Sequence, residues 1–480
     1  MLDLQPQVLW QVFSEICAIP HPSGYEAALC AHLQAKAEAA GLATQVDQAG
    51  NLLIEKPATP GRENSKTVIL QAHLDMVPQK NTGVEYKPTL DPIKTVIKNG
   101  WVTTGSTTSL GADNGIGVAA AMAIMLSSEL KHGPLKTLLT VSEETGLNGA
   151  KNVEPTFLDG DILLNLDSEE EGRIFIGCAG GARLTCSFKS EWESLPPKYS
   201  GLKIAVSGLQ GGHSGVDIHL GRGNAIKLLN GLLNRLATEV DARISIMDGG
   251  TLDNAIPRDA FAVLSVPAAK RKQAISIVKD YAQEARDRLQ AIEPELEFRV
   301  VGWETPGMAF VCDFQKQVLH ALDACPNGAI AYNEKLPGQV ETSTNLAVIE
   351  TGEDLVTVKT MQRSSCEKKR LELAAKIAKI FNRNGANTVT DNEYPGWETA
   401  LDSKILQLGN QVYRDMLGKD PENLIIHAGL ECGILHAINP HLDIISLGPK
   451  MLHPHSPYEK VKIKSVETFF KALKLIVAAV

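Results

Sequence analysis

Five short segments of this chain carry side chains that bind metal ions or move protons. They are His73-Leu74-Asp75, Gly111-Ala112-Asp113-Asn114-Gly115, Glu143-Glu144-Thr145-Gly146, Leu166-Asp167-Ser168 and His453-Pro454-His455-Ser456-Pro457-Tyr458-Glu459. Taken singly, each has an ordinary structural explanation. A His-x-Asp is a common polar end to a strand, an aspartate in a glycine-rich turn caps the helix that follows, and adjacent acids are frequent on solvated surfaces. The five together resist that explanation, because the acids follow apolar strands, and carboxylates converging on one crevice repel unless a cation compensates them. Two histidines with several carboxylates form the set of hard-to-borderline nitrogen and oxygen donors that suits paired zinc ions. Alternation along an extended chain puts His73 and Asp75 on one side, where the carboxylate can orient the imidazole as a metal-ligating histidine requires.

Such segments need a scaffold that brings them to one edge. Residues 3–18 and 24–40 carry apolar positions at helical spacing, 67–72 reads as a buried strand, 115–125 as a helix, and 138–141 and 161–166 as strands. The alternation predicts an α/β sheet, in which sites form at strand ends. From about residue 187 the texture changes to strands at 202–206, 243–247, 260–266 and 296–301 with helices at 224–236 and 271–289. A less regular repeat of that order follows: helix 314–324, strands near 345–350 and 354–361, helix 366–383 and a strand near 387–390. This stretch reads as two α+β halves without sequence identity between them. After Tyr394-Pro395-Gly396-Trp397 the α/β character returns, with helix 403–417, strands 423–426 and 443–447 and helix 464–478. The simplest account is a catalytic domain split into 1–186 and 396–480 by an insertion at 187–395.

The bulk properties agree. A length of 480 residues exceeds what one core usually fills and favours two or three domains. Hydrophobic residues at 44% and charged residues at 21% are ordinary for a globular protein. A net charge of -9 argues against nucleic-acid or anionic-membrane partners, which need basic patches. The eight cysteines are scattered without a CxxC pair or a disulfide framework, which fits reduced thiols in the cytoplasm. No stretch approaches the roughly 20 apolar residues of a membrane span, and the first residues lack the pattern of a secretory leader.

In this order the motifs resemble those of the M20 metallopeptidases and, within that family, the cytosolic nonspecific and aminoacyl-histidine dipeptidases. The matching segments run from Ile16-Cys17-Ala18-Ile19-Pro20-His21-Pro22-Ser23-Gly24 to His455-Ser456-Pro457-Tyr458-Glu459, nearly the whole chain. The resemblance implies a split di-zinc catalytic domain, with a central mixed sheet flanked by helices, and an inserted α+β lid domain through which the chain forms a homodimer. It implies two zinc ions per subunit, replaceable by cobalt or manganese, with His73 and Asp167 on one, Glu144 and His455 on the other and Asp113 bridging. Asp75 matches the residue that orients the first histidine and Glu143 the general base. His455 is preferred to His453 because Ser-Pro-Tyr-Glu follows it. In the insertion, Gly211-Gly212-His213-Ser214-Gly215 resembles the motif whose histidine steadies the tetrahedral intermediate, with His219 as its rival. Asn254, within Gly249-Gly250-Thr251-Leu252-Asp253-Asn254-Ala255-Ile256-Pro257, matches a substrate-binding asparagine. Arg363 matches an arginine that meets the substrate carboxylate, the alternative being a surface ion pair, and Gly429 matches a backbone contact near the site.

The activity implied is hydrolysis of dipeptides with a free C-terminal carboxylate, Xaa-His dipeptides included. The rival readings are an amidohydrolase of N-acyl amino acids, an aminopeptidase of a related di-zinc family, and a metal-dependent binding or scaffold protein that has lost catalysis. A nucleotide-binding α/β protein lacks support, since no GxxxxGK[ST] occurs.

Overall fold

Val68-Ile69-Leu70-Gln71-Ala72-His73 is an apolar run without a turn former, and it makes a strand with all six residues buried. It lies parallel to Leu135–Thr140 on one side and to Ile162–Asn165 on the other, and Asp443–Ser446 lies parallel beyond Ile162–Asn165. Strands covered on both faces read as continuous apolar runs, as these do. The register sets His73 level with Thr140, Gln71 level with Asn165, and Asn165 level with Ser446. Four strands therefore finish at one edge of the sheet. Four further strands complete an eight-stranded mixed sheet, in the order Ala43–Val46, Leu52–Lys56, Leu135–Thr140, Val68–His73, Ile162–Asn165, Asp443–Ser446, Arg173–Cys178 and Glu422–Ile426.

The helix Ala112–Met125 is buried at every position except Asp113. Its small residues let a neighbour close in: a Cβ on Gly115 would lie 3.0 Å from a ring carbon of Phe13. That ring belongs to Gln7–Ala18, a helix that buries Leu9, Trp10, Val12, Phe13 and Ile16 at helical spacing. Each such side chain contributes roughly 1.5–3 kcal/mol on burial.

The structure is a computed structural model describing all 480 residues, and it divides into two units. The first comprises Met1–Gly177, Trp397–Ile425 and Leu430–Val480 and contains the sheet just described; the second comprises Cys178–Gly396 and Ile426–Gly429. The sequence boundary at 186/187 falls inside the strand Gly180–Lys189, which pairs with Leu355–Ser364 and Ala386–Tyr394. Its alternately buried Ala182, Leu184, Cys186 and Phe188 tie it to the second unit's core.

That unit is built on one antiparallel sheet. Its main path runs Glu297–Gly302, Tyr199–Ser207, Ala260–Pro267, Arg243–Gly249, Val340–Thr351, Leu355–Ser364, Gly180–Lys189 and Ala386–Tyr394, with Gly328–Tyr332 pairing onto Val340–Thr351. Side chains from the helices Ala225–Val240, Arg271–Leu289, Cys312–Ala324 and Glu367–Arg383 share a single hydrophobic cluster with it. The two α+β halves expected from sequence are thus parts of one sheet, joined where Gly249 pairs with Ile349. No helix of either unit is long and apolar enough to cross a membrane.

Candidate metal centre and substrate-binding cluster

In the first unit, the segments after the parallel strands deliver their acids and histidines to one place. His73 Nε2 lies 3.2 Å from Asp113 Oδ1 and 3.4 Å from Asp167 Oδ1. His455 Nε2 lies 3.1 Å from Asp113 Oδ2 and 2.8 Å from Glu144 Oε1. Two donor groups therefore form, His73–Asp113–Asp167 and Asp113–Glu144–His455, and Asp113 gives one oxygen to each. A third overlapping group, His73–Glu143–Glu144, brings Glu143 to the same spot. Donors at 2.0–2.1 Å from a tetrahedral zinc ion lie about 3.3 Å apart, close to the separations found. Glu144 Oε1 is buried and makes no hydrogen bond of proper angle despite the nearby His455 nitrogen. Both atoms belong to one group of mutually close donors, and the donor chemistry fits a pair of divalent cations.

The electrostatics express the same demand. Burial works to lower the His73 pKa, yet the carboxylates of Asp167, Asp113 and Asp75 outweigh it and hold it well above its ordinary value. The hydrogen bond to Asp113 and the close Glu144 carboxylate push His455 up to about 11. Burial, reinforced by Asp167, Glu431 and Glu144, raises Glu143 well above the usual carboxylate range. Protons gather where positive charge is lacking, and a cation placed among the same atoms displaces them.

Several positioning devices surround this cluster. His73 Nδ1 faces the backbone carbonyl of Asp75 at 2.9 Å, which turns the lone pair of Nε2 towards Asp113 and Asp167. The orienting contact expected of the Asp75 carboxylate is thus made chiefly by its backbone, with Oδ1 at 3.4 Å. The carboxylate instead accepts from Ser23 Oγ at 2.7 Å, Glu143 N at 2.9 Å and Glu144 N at 3.1 Å, and so fixes the loop that carries both glutamates. Asn114 Nδ2 donates to Asp167 Oδ1.

Asp113 does not cap its helix: its backbone is non-helical and its side chain is turned to the two histidines. Capping falls to Glu459, whose oxygens accept from the backbone N–H groups of Leu110 at 2.7 Å, Gly111 at 3.0 Å, Ala112 at 2.7 Å and Asp113 at 3.3 Å. One buried carboxylate thereby ties the His455 loop to the Asp113 loop. His455 and His453 both have left-handed backbones, with φ of 55° and 57°, but His453 lines a separate cavity of about 680 Å³ with Glu169–Glu171, Lys419 and Lys450. Glu431, unassigned in the sequence reading, is buried beside the cluster, accepts from Gln71 Nε2 at 2.6 Å and Thr140 Oγ1 at 2.7 Å, and is pushed up to about 7 by burial.

The second unit holds a different cluster. His213 pairs with Ala255 in a two-stranded ribbon, and Ser214 N donates to the Asn254 carbonyl at 2.7 Å. His213 Nδ1 accepts from Gly215 N at 3.1 Å and Val216 N at 3.0 Å, so its proton sits on Nε2. Burial and the nearby Arg363 lower its pKa to about 4, making it a neutral donor. His219 is exposed, and its Nδ1 lies against the Val216 carbonyl. Arg363 is 3% exposed and has no carboxylate partner, which removes the surface-ion-pair alternative; Nη1 donates to Tyr394 Oη at 2.5 Å, and Nε is buried without an acceptor. Gly429 packs against Tyr394, and a Cβ there would come 2.7 Å from the ring. The Asn254 residue itself is exposed. His427 and Ser343, which the sequence reading left without roles, are buried and joined at 2.7 Å between Nε2 and Oγ.

A mixed α/β sheet gathering histidines and carboxylates at the ends of its parallel strands defines a class of metal-using hydrolase, and the comparisons name it. Residues 69–479 match the description Peptidase family M20/M25/M40, and the chain belongs to that family of peptidases. It is similar to the cytosol non-specific dipeptidase of Escherichia coli (strain K12), 41% identical over 471 residues that cover 98% of this chain and 97% of that one. The crystal structure of aminoacylhistidine dipeptidase from Vibrio alginolyticus matches with a TM-score of 0.92 at 41% identity, covering 100% of this chain and 98% of the other. Aminopeptidase PepT from Bacillus cereus, with a TM-score of 0.60 at 17% identity over 99% of this chain and 98% of its own, shares the fold.

Proposed function

We propose that this chain is a cytosolic di-zinc dipeptidase that cleaves dipeptides bearing a free C-terminal carboxylate, Xaa-His dipeptides among them. The observation that carries the reading is the pair of donor groups sharing Asp113. His73, Asp113 and Asp167 would hold one ion and Asp113, Glu144 and His455 the other. Bound there, the ions would supply Lewis acidity for activating a water at neutral pH and for polarising the scissile carbonyl. Glu143 stands at the same edge without belonging to either Asp113 group; it takes the proton from the attacking water and returns it to the leaving amine. His213, neutral and protonated on Nε2, is suited to donate to the developing oxyanion, a role that needs a donor and not a cation. Arg363, a buried cation with no counter-ion, reads the substrate carboxylate. Asn254 and Gly429 complete the contacts to substrate, and a homodimer formed through residues 187–395 belongs to the same proposal. The cytosolic assignment is supported by the relative's name and by cysteines that are all free thiols.

The test is a panel of dipeptides, tripeptides and N-acetylated amino acids assayed after exhaustive chelation and again after loading with zinc, cobalt or manganese. Dipeptide hydrolysis should vanish on chelation and return with the metal while the protein stays folded. Full activity in protein shown by elemental analysis to be metal-free overturns the reading. Preference for tripeptides or for N-acetyl substrates moves the assignment to the aminopeptidases or to the amidohydrolases.

A further inference from the structure

Tyr394, Gly181, Arg363 and Ser343 occupy one row across four adjacent strands of the second unit's sheet: Tyr394 pairs with Gly181, Gly181 with Arg363, and Arg363 with Ser343. Residues in such a row project to the same face. Tyr394 and Arg363 are two strands apart, roughly 9–10 Å at the usual spacing, too far for ordinary cross-strand neighbours. The gap closes because the residue between them has no side chain. A Cβ on Gly181 would collide with Cζ and Oη of Tyr394, so the phenol lies over the glycine and its oxygen reaches the Nη1 of Arg363 at 2.5 Å. Gly429 clears space for the same ring, since a Cβ there would lie 2.7 Å from Cε2.

Nη1 of Arg363 donates, so the Tyr394 oxygen is the acceptor and its own hydrogen must point elsewhere. The structure offers that hydrogen no acceptor, just as it offers none to the buried Nε of Arg363. A half-buried phenol and a buried guanidinium thus meet with donor capacity unused on both and no anion on either. Buried donors left unpaired are costly, and a single carboxylate accepts from both. We infer that Tyr394 is a second binding residue for the substrate's C-terminal carboxylate, donating its phenolic proton beside Arg363 and held in place by the glycines at 181 and 429. Burial raises the Tyr394 pKa above its ordinary value, so the phenol keeps that proton at neutral pH. The inference rests on the reading of Arg363 as the carboxylate contact.

The measurement is kcat and KM on dipeptides and on their C-terminal amides, for Tyr394→Phe, Gly181→Ala and Arg363→Ala, with melting temperature as the control for folding. Tyr394→Phe keeps the ring and removes only the donor. It should raise KM for free-acid dipeptides roughly ten- to a hundredfold, the loss expected for one hydrogen bond to a charged group, while leaving kcat within about twofold and the amides unchanged. Gly181→Ala, which displaces the ring, should show the same preference loss. An equal effect on acid and amide, or none on either, overturns the role of Tyr394 when Arg363→Ala does narrow the acid-over-amide preference. When Arg363→Ala also leaves that preference intact, the carboxylate reading of Arg363 falls, and the role of Tyr394 falls with it.

Discussion

The two units each hold a polar cluster, and the clusters carry opposite deficits. The first gathers the carboxylates of Asp75, Asp113, Glu143, Glu144 and Asp167 around two imidazoles, and the imidazoles take up protons to offset them. The second sets Arg363 beside two histidines, His213 and His427, whose pKa values are lowered, first by burial, to about 4 and about 3. Burial drives both downward and the guanidinium adds to it. One cluster lacks positive charge and the other lacks negative charge. The donor set of the first suits a cation, and the buried Arg363 of the second, with no carboxylate partner, suits an anion.

This contrast can be broken at its strongest point by Glu143→Gln. If Glu143 moves protons and does not hold metal, the variant should lose up to about 10⁴-fold in kcat with two metals per chain still found by elemental analysis. Loss of one metal would exchange the roles of Glu143 and Glu144. The second cluster is probed next by His213→Ala, which should lower kcat by about 10²–10³, the scale for one oxyanion donor, with metal content intact, while His219→Ala stays close to wild type. A larger defect in His219→Ala would move the donor role to that residue. The smallest effect is expected from Glu459→Gln, which turns an amide nitrogen towards N–H groups that now share an anion. Metal affinity, measured by competition with a chromogenic chelator, should fall about 10–100-fold, as for other residues that orient ligands; unchanged affinity would reduce Glu459 to a helix cap.

How far the sequence revealed each cluster follows from how it is built. His73, Glu144 and Asp167 end or closely follow apolar parallel strands that finish at a common edge, so their segments could be grouped without coordinates. Asp113 in its glycine-rich loop, His455 and the choice of ligands within each segment came instead from the resemblance to M20 motifs. Atomic detail escaped: Asp75 stands where expected, yet its backbone carbonyl meets His73 and its carboxylate holds the glutamate loop. Glu459 belongs to the His453–Glu459 motif, but its partners are 346 to 349 residues away, and nothing local announces them. The second cluster depends on register. Tyr394 meets Arg363 only because a glycine lies between them in the ladder, and pairing offsets between distant strands have no local signature. The boundary near residue 187 slipped for a related reason, since Gly180–Lys189 continues the β character of Arg173–Cys178 across the change of sheet.

The strand Asp443–Ser446 sits between Ile162–Asn165 and Arg173–Cys178, and this imposes an order on how the protein comes into being. On the ribosome, Ile162–Asn165 waits with one edge open while nearly three hundred further residues are made, roughly 15–60 s at ordinary rates of synthesis. Asp113 and Asp167 are present throughout that interval, but His455 and the Glu459 clasp arrive only afterwards. A nascent chain can therefore offer the His73, Asp113 and Asp167 donors early, whereas the group containing His455 cannot exist until nearly three hundred further residues have been added. The strand that fills the middle of the sheet and the loop that carries His455 are thus both made long after the donors they join.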